Sequence, residues 1–472
     1  MRFGITPVHL PDDRPGWIAA LGPIVAVLFV GGFVAYLLTE WPRIATDPAF
    51  FQHTGWYVLQ GGVPYVDVWD VNPPVPFAIT AALAAVSGGD MLVLHGLSVA
   101  LTVLVAAASV MLVGWVAYLV TGQNAAAIAA GLTMLVVPEL FVLPLLGVRS
   151  QFYSLFFGTL ALALVLRDRP FLAGAAAALS AGSWQAGAVF APLVVGIAAQ
   201  RIGPNAALRA ITGGGVVTGL VVLAFAAAGA LVPMIVQAIV APLAAGSSST
   251  LAEHVYSILL VFGYGSLLLP VALFGWVYAA VRDLRDQWWV PTGGLLLGLQ
   301  VLFVDMDGAT DTFLWLAFVA IGVAIAVDPL LTHAYRSVTA VTDRRPTAAI
   351  RPNRRLLSIV AVVAVAGLLV LSGLVWNTGS PSVKSTLTSM EQEAEPEGET
   401  PSVTPGDADV PSMRTIYWEQ LEPETCHYRL SWNEVRWVAM TDDRLDRRQC
   451  DGWPSRLDRA SGERSLGNPG LG

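Results

Sequence analysis

Apolar runs of about 17 to 25 residues recur along most of this chain, and a run of that length crosses the hydrocarbon core of a bilayer as a helix. Nothing else in the sequence constrains the fold as much. With 55% hydrophobic and 13% charged residues over 472 positions, the chain is too apolar for a soluble globular protein. Crossings are expected near 17–38, 92–120, 125–145, 150–166, 171–184, 186–199, 210–230, 256–281, 288–304, 312–327 and 355–376, about eleven in all. The run from Pro74 to Val86 is short and headed by proline, and is read as an interfacial or re-entrant helix. The expected fold class is therefore an all-α polytopic membrane protein.

Positive charge orients the helices. Arg2 and Arg14 precede the first run and favour a cytoplasmic N-terminus. The first run has no small-residue cleavage site after it and is expected to stay as an anchor. This threading puts Arg167 and Arg169, Arg201 and Arg209, Arg282 and Arg285, and the Arg336–Arg355 loop on the cytoplasmic side. Arg43 and Arg149 are the exceptions in the external loops. Merging 171–199 into one helix would carry Arg344, Arg345, Arg351, Arg354 and Arg355 outside, so two helices are expected there.

Three regions follow: a membrane domain over 1–376, a linker over 377–410 and an appendage over 411–472. The linker is rich in Ser, Thr, Pro and Glu and is expected to be disordered. In the appendage, the alternation in TCHYRLSWNEVRWVAM suggests a short strand or two. The threading leaves it extracytoplasmic. Cys426 and Cys450 are the only cysteines, and on that oxidising side a disulfide between them is expected, worth roughly 3 kcal/mol by chain entropy. The net charge is −8, and 17 of the 34 acidic residues lie after Trp376. Nothing in this charge pattern suggests nucleic-acid binding.

One polar island interrupts the first part of the chain: WPRIATDPAFFQHTGWYVLQGGVPYVDVWDVNPPVPF, from Trp41 to Phe77. It holds Asp47, His53, Asp67 and Asp70 beside three tryptophans. Carboxylates kept at a membrane face are candidates for function. Residue by residue, an external loop with solvated acids and an interfacial aromatic belt is the favoured explanation. As a pattern, the island resembles the first external loop of the GT-C fold glycosyltransferases that use a lipid-phosphate sugar donor. Protein mannosyltransferases and aminoarabinose transferases are among these, and the likeness is nearest to haloarchaeal dolichyl-phosphate-mannose mannosyltransferases. The matching residues are Asp47, Tyr57, Gly62, Tyr65, Asp67, Trp69, Asp70, Pro73 and Pro74. Asn72 departs from the pattern, standing where many relatives carry Lys or His.

The resemblance implies a GT-C-like membrane enzyme that moves a hexose, mannose above all, from a polyprenyl- or dolichyl-phosphate donor. The implied acceptor is a lipid-linked oligosaccharide or a glycoprotein on the extracytoplasmic face, and the implied chemistry is inverting, with Asp47 as general base. A single carboxylate near the acceptor hydroxyl suffices for such a displacement, although Asp47-Pro48 is also an ordinary turn signal. Asp67 and Asp70 either contact sugar hydroxyls or brace the loop, and Asn72 lies beside them. His53 is six residues from Asp47 and off its helical face. Arg149 is the candidate for the donor phosphate, with Gln151 where relatives often carry an acid; an arginine snorkelling to the interface is the other reading. Asp305, Asp307 and Asp311 form either an acceptor site or a polar loop, and Trp184 with Gln185 is read as packing. No His or Cys spacing suggests a metal site. Two other classes stay open, a secondary transporter and a membrane assembly protein. The transporter is disfavoured because the acids cluster at helix ends and no internal repeat is evident.

Overall fold

A computed structural model describes residues 16–245, 250–282, 284–304, 306, 308–342, 363–372, 413–421 and 428–429. The linker, both cysteines, Asp305 and Asp307 lie outside the described residues. Helices make up nearly all of what is described, as all-α patterning requires. Five are long and apolar enough to cross a membrane, or six if one bent pair counts as a span, and six shorter apolar helices accompany them.

The first span, α1 (Gly16–Thr39), ends at the polar island. The island folds into α2 (Thr46–Leu59), the two-residue strand β1 (Trp69–Asp70) and α3 (Val75–Val86). The long α4 (Met91–Thr121) begins at Asp90, whose side chain caps the helix by accepting from the Val93 amide at 2.9 Å, and ends at Gly122 in the left-handed region. The run expected as one crossing over 125–145 is instead two helices, α5 (Asn124–Met134) and α6 (Glu139–Leu146), bent by 80°. Pro138 stands at the break, where a helix would need the amide that proline lacks. Glu139 opens the second arm in a buried position.

Beyond the break come α7 (Ser150–Leu166), α8 (Pro170–Ser183), α9 (Phe190–Arg201) and α10 (Pro204–Ala227). The expected helical pair over 171–199 is present as α8 and α9, joined by a short 3-10 turn at Gln185–Val189. Next is α11 (Leu231–Ala244), a helix that no expected crossing covered. Then follow α12 (Leu251–Phe262), α13 (Leu268–Arg282), α14 (Trp289–Phe303) and α15 (Phe313–Thr342). The stretch Ala309–Val327 is 94% buried and packs against α4, α5, α7, α13 and α14, which makes it the centre of the bundle. Helix α10 is its opposite, 11% buried and facing outward.

The C-terminal region adds α16 (Val363–Ser372), α17 (Met413–Glu419) and β2 (Tyr428–Arg429). β2 pairs in parallel with β1, setting Trp69 opposite Tyr428 and Asp70 opposite Arg429. Among the described residues, the strand in the expected appendage is two residues long, and its partner is the polar island.

Candidate active site

Helix α2 presents Asp47 in its first turn, where a carboxylate is favoured by the helix dipole and where Pro48 removes no hydrogen bond. Asp47 is therefore part of a helix, and the Asp-Pro pair serves as a helix start. The helix is held by close backbone approach. A Cβ at Gly55 would fall 2.4 Å from the backbone carbon of Thr80 on α3, so glycine lets the two helices touch.

On the other side, the loop leading into α7 runs against α2. Gly147 sits at φ +112 with the space of its missing Cβ filled by Gln52 and Pro48. That contact delivers Arg149, whose Nη1 donates to Asp47 Oδ2 at 2.8 Å across 102 residues of sequence. The pair is partly sheltered, with side-chain exposures of 18% for Arg149 and 27% for Asp47. Arg149 Nε is buried and has no partner among the described residues.

A second set of groups continues from the next residue. Ser150 Oγ donates to Asn72 Oδ1 at 3.1 Å, and Asn72 Nδ2 donates to both carboxylate oxygens of Asp70, at 3.0 and 3.2 Å. Asp70 is fully buried, and its backbone amide donates to Gln237 Oε1 at 3.1 Å. Gln237 Nε2 in turn donates to the carbonyl of Tyr65 at 2.8 Å. Tyr65 takes the left-handed conformation (φ 68) and donates its hydroxyl to the carbonyl of Asn72 at 2.6 Å. Burial, with Asp70 adding to it, pushes this phenol well above the usual tyrosine range, so it keeps its proton and stays a donor. Gln185 Nε2 donates to the carbonyls of Val71 and Ala238, at 2.6 and 3.1 Å. Gln151 Nε2 reaches Asp311 Oδ1 at 3.4 Å, and the other Asp311 oxygen accepts from the Gly308 amide.

The sequence-derived residues thus fall into three groups. Asp47, Asn72, Asp70, Arg149 and Gln151 are tied together through α2, β1 and the start of α7. Asp67 stands apart as a brace, its Oδ2 accepting from the Val63 amide at 2.7 Å. His53 is buried on the far side of α2, with Nε2 at 2.7 Å from the carbonyl of Leu421. Asp305 lies outside the described residues, while its neighbour Asp311 joins the network. Ser150, Gln237 and the hydrogen-bonding role of Gln185 escaped the sequence reading. Gln237 had a legible signal, since it is a lone amide in the apolar run VPMIVQAIVAPL. Among the described residues, no group of three or more His, Cys, Asp or Glu is placed to hold a metal ion.

The helical bundle as a whole superposes on solved membrane proteins. ArnT from Cupriavidus metallidurans, solved bound to undecaprenyl phosphate, superposes with a TM-score of 0.55 at 12% identity, covering 92% of this chain and 89% of that one. The oligosaccharyltransferase AglB from Archaeoglobus fulgidus, solved with an inhibitory peptide and a dolichol-phosphate, gives 0.50 at 11% identity, over 89% of this chain and 63% of that one. The chain is a membrane glycosyltransferase of the GT-C fold. Within that class its likeness is to the DolP-mannose mannosyltransferases, whose family model matches residues 61–224. A Haloferax volcanii dolichol phosphate-mannose mannosyltransferase is 29% identical over 437 residues, spanning 88% of this chain and 92% of that protein.

Proposed function

We propose that this enzyme transfers mannose from a dolichyl-phosphate donor to a lipid- or protein-linked glycan on the extracytoplasmic face, with its N-terminus cytoplasmic. The observation that carries the reading is the Asp47–Arg149 pair, which sets one base and one phosphate ligand side by side. Asp47 takes the proton of the acceptor hydroxyl, and the oxygen attacks the anomeric carbon of the sugar. The bond from that carbon to the phosphate oxygen breaks with its electron pair leaving on the phosphate, and the anomeric configuration inverts. The donor phosphodiester carries one negative charge and the departing dolichyl phosphate approaches two. Arg149, whose Nε is buried without a partner among the described residues, stabilises that growing charge. Once the phosphate engages Arg149, the guanidinium is shared and Asp47 becomes a better base than in the closed ion pair. Asp70 and Asn72, tied together and to Ser150, shape the sugar or acceptor side.

The test is transfer in membranes with mannose radiolabelled either on dolichyl phosphate or on a nucleoside diphosphate. Label moving to glycan from the lipid donor, with the nucleotide donor inert, is the expected result. Direct use of the nucleotide donor would overturn the reading, as would release of free sugar across the membrane without a new glycosidic bond.

A further inference from the structure

We propose that the C-terminal segment, through α17 and β2, is a positioning element of the transfer site, with Tyr417 as its anchor. The catalytic part of this proposal rests on the function proposed above. The segment lies more than 340 residues after α2, yet it touches both walls of the site. On the first wall, Tyr417 is fully buried between α2 and α4. Its hydroxyl lies 3.1 Å from Gln52 Oε1 and donates to the carbonyl of Met91. Burial pushes this phenol well above the usual tyrosine range, with Asp90 adding to the effect, so it remains a donor. Gln52 lies on the helix that carries Asp47, and its Oε1 is also 3.3 Å from His95 Nδ1 on α4. Tyr417 packs with Ile44, Ala49, Trp56, Met91 and Leu94 in a cluster separate from the bundle core. His53 reaches the carbonyl of Leu421, and Gln420 Nε2 donates to the carbonyl of Gly89 at 3.0 Å.

On the second wall, β2 pairs with β1 at Trp69 and Asp70. A two-residue ladder adds little stability by itself. Its position matters more, because Asp70 is the residue that holds Asn72, and Asn72 meets Ser150 beside Arg149. One chain segment therefore fixes α2 with Asp47 and β1 with Asp70. A mere cover over apolar surface would need contact with one of these and no polar register. Catalysis is sensitive to such placement, since a misfit of about 1 Å can cost about 10²-fold in rate.

The experiment uses the full chain in lipid bilayers, as wild type, Tyr417→Phe and Tyr417→Ala. Backbone hydrogen exchange is followed over 46–59 and 63–72, with α7 and α15 as internal controls, and transfer from dolichyl-phosphate mannose is measured alongside. In Tyr417→Ala, exchange should quicken across both stretches while α7 and α15 stay protected. Its kcat should fall by about tenfold or more with the donor KM unchanged. Tyr417→Phe keeps the ring and loses the hydroxyl bonds, and should fall between the two. Unchanged exchange over 46–72 overturns the proposal whatever the transfer data say. Faster exchange with wild-type kcat overturns the positioning role. If Tyr417→Ala fails to accumulate, Tyr417→Phe decides by the same two readouts. Failure of the wild-type protein to use the lipid donor would instead overturn the proposed function, with the exchange data still judging the clamp.

Discussion

Helices α2 and α10 invert the rule learned from soluble proteins. Helix α2 carries Asp47, Gln52, His53 and Thr54, and every residue from Pro48 to Trp56 is buried. Helix α10 reads PNAALRAITGGGVVTGLVVLAFAA, yet its buried residues are Ala206, Ala210 and Gly213, while Leu220 and Leu223 are 64% and 67% exposed. Lipid is the solvent for α10, so leucine on its outer face needs no cover. Polar side chains are retained inside the protein where partners are supplied. In these two helices, burial marks the site and apolarity marks the lipid-facing surface.

The contrast is broken most severely at Asp47. Asp47→Asn keeps the size of the side chain and much of its hydrogen bonding while removing the base. Transfer should fall by about 10²–10⁴-fold with membrane levels unchanged, as read by turnover beside an immunoblot. Retention of a tenth of the activity would take the base role from Asp47.

Arg149 comes next. Hydrogen bonds to charged groups are worth about 1.5–3 kcal/mol, so Arg149→Ala should weaken donor use by about 10- to 150-fold in kcat/KM. Arg149→Lys keeps the charge without the fork and should recover part of the loss. Equal, wild-type-like kinetics in both variants would make Arg149 an interfacial residue.

Gln237→Leu sharpens the comparison from the other direction, by making a buried position more apolar. It orphans the Asp70 amide and the Tyr65 carbonyl, at about 1–3 kcal/mol each at most. Lower thermal stability in detergent, together with reduced kcat, is the expected outcome. A variant as stable as wild type would show that the loop holds its shape without this amide.

The smallest effect belongs to the outer face of α10. Leu223→Ala removes a side chain that meets lipid, so stability should stay within about 0.5 kcal/mol and transfer should be unchanged. A clear loss there would point to a partner on a face the fold leaves open.

Hydropathy alone determined that this chain is helical and membrane-spanning, because a bilayer accepts few other ways to satisfy a backbone. The pattern from Asp47 to Pro74 likewise marks the polar island. The 80° break at Pro138 and the helix around Gln237 were not legible, since an apolar run has the same composition whether it crosses, bends or re-enters. Nor did spacing tell Asp67 from Asp70; one accepts a local amide and the other joins a network reaching α11. Tertiary structure alone decided that Arg149 would meet Asp47, and that Tyr417 would close over Gln52. Both contacts depend on how the chain returns after 102 and 365 residues, and no local preference carries information across such distances.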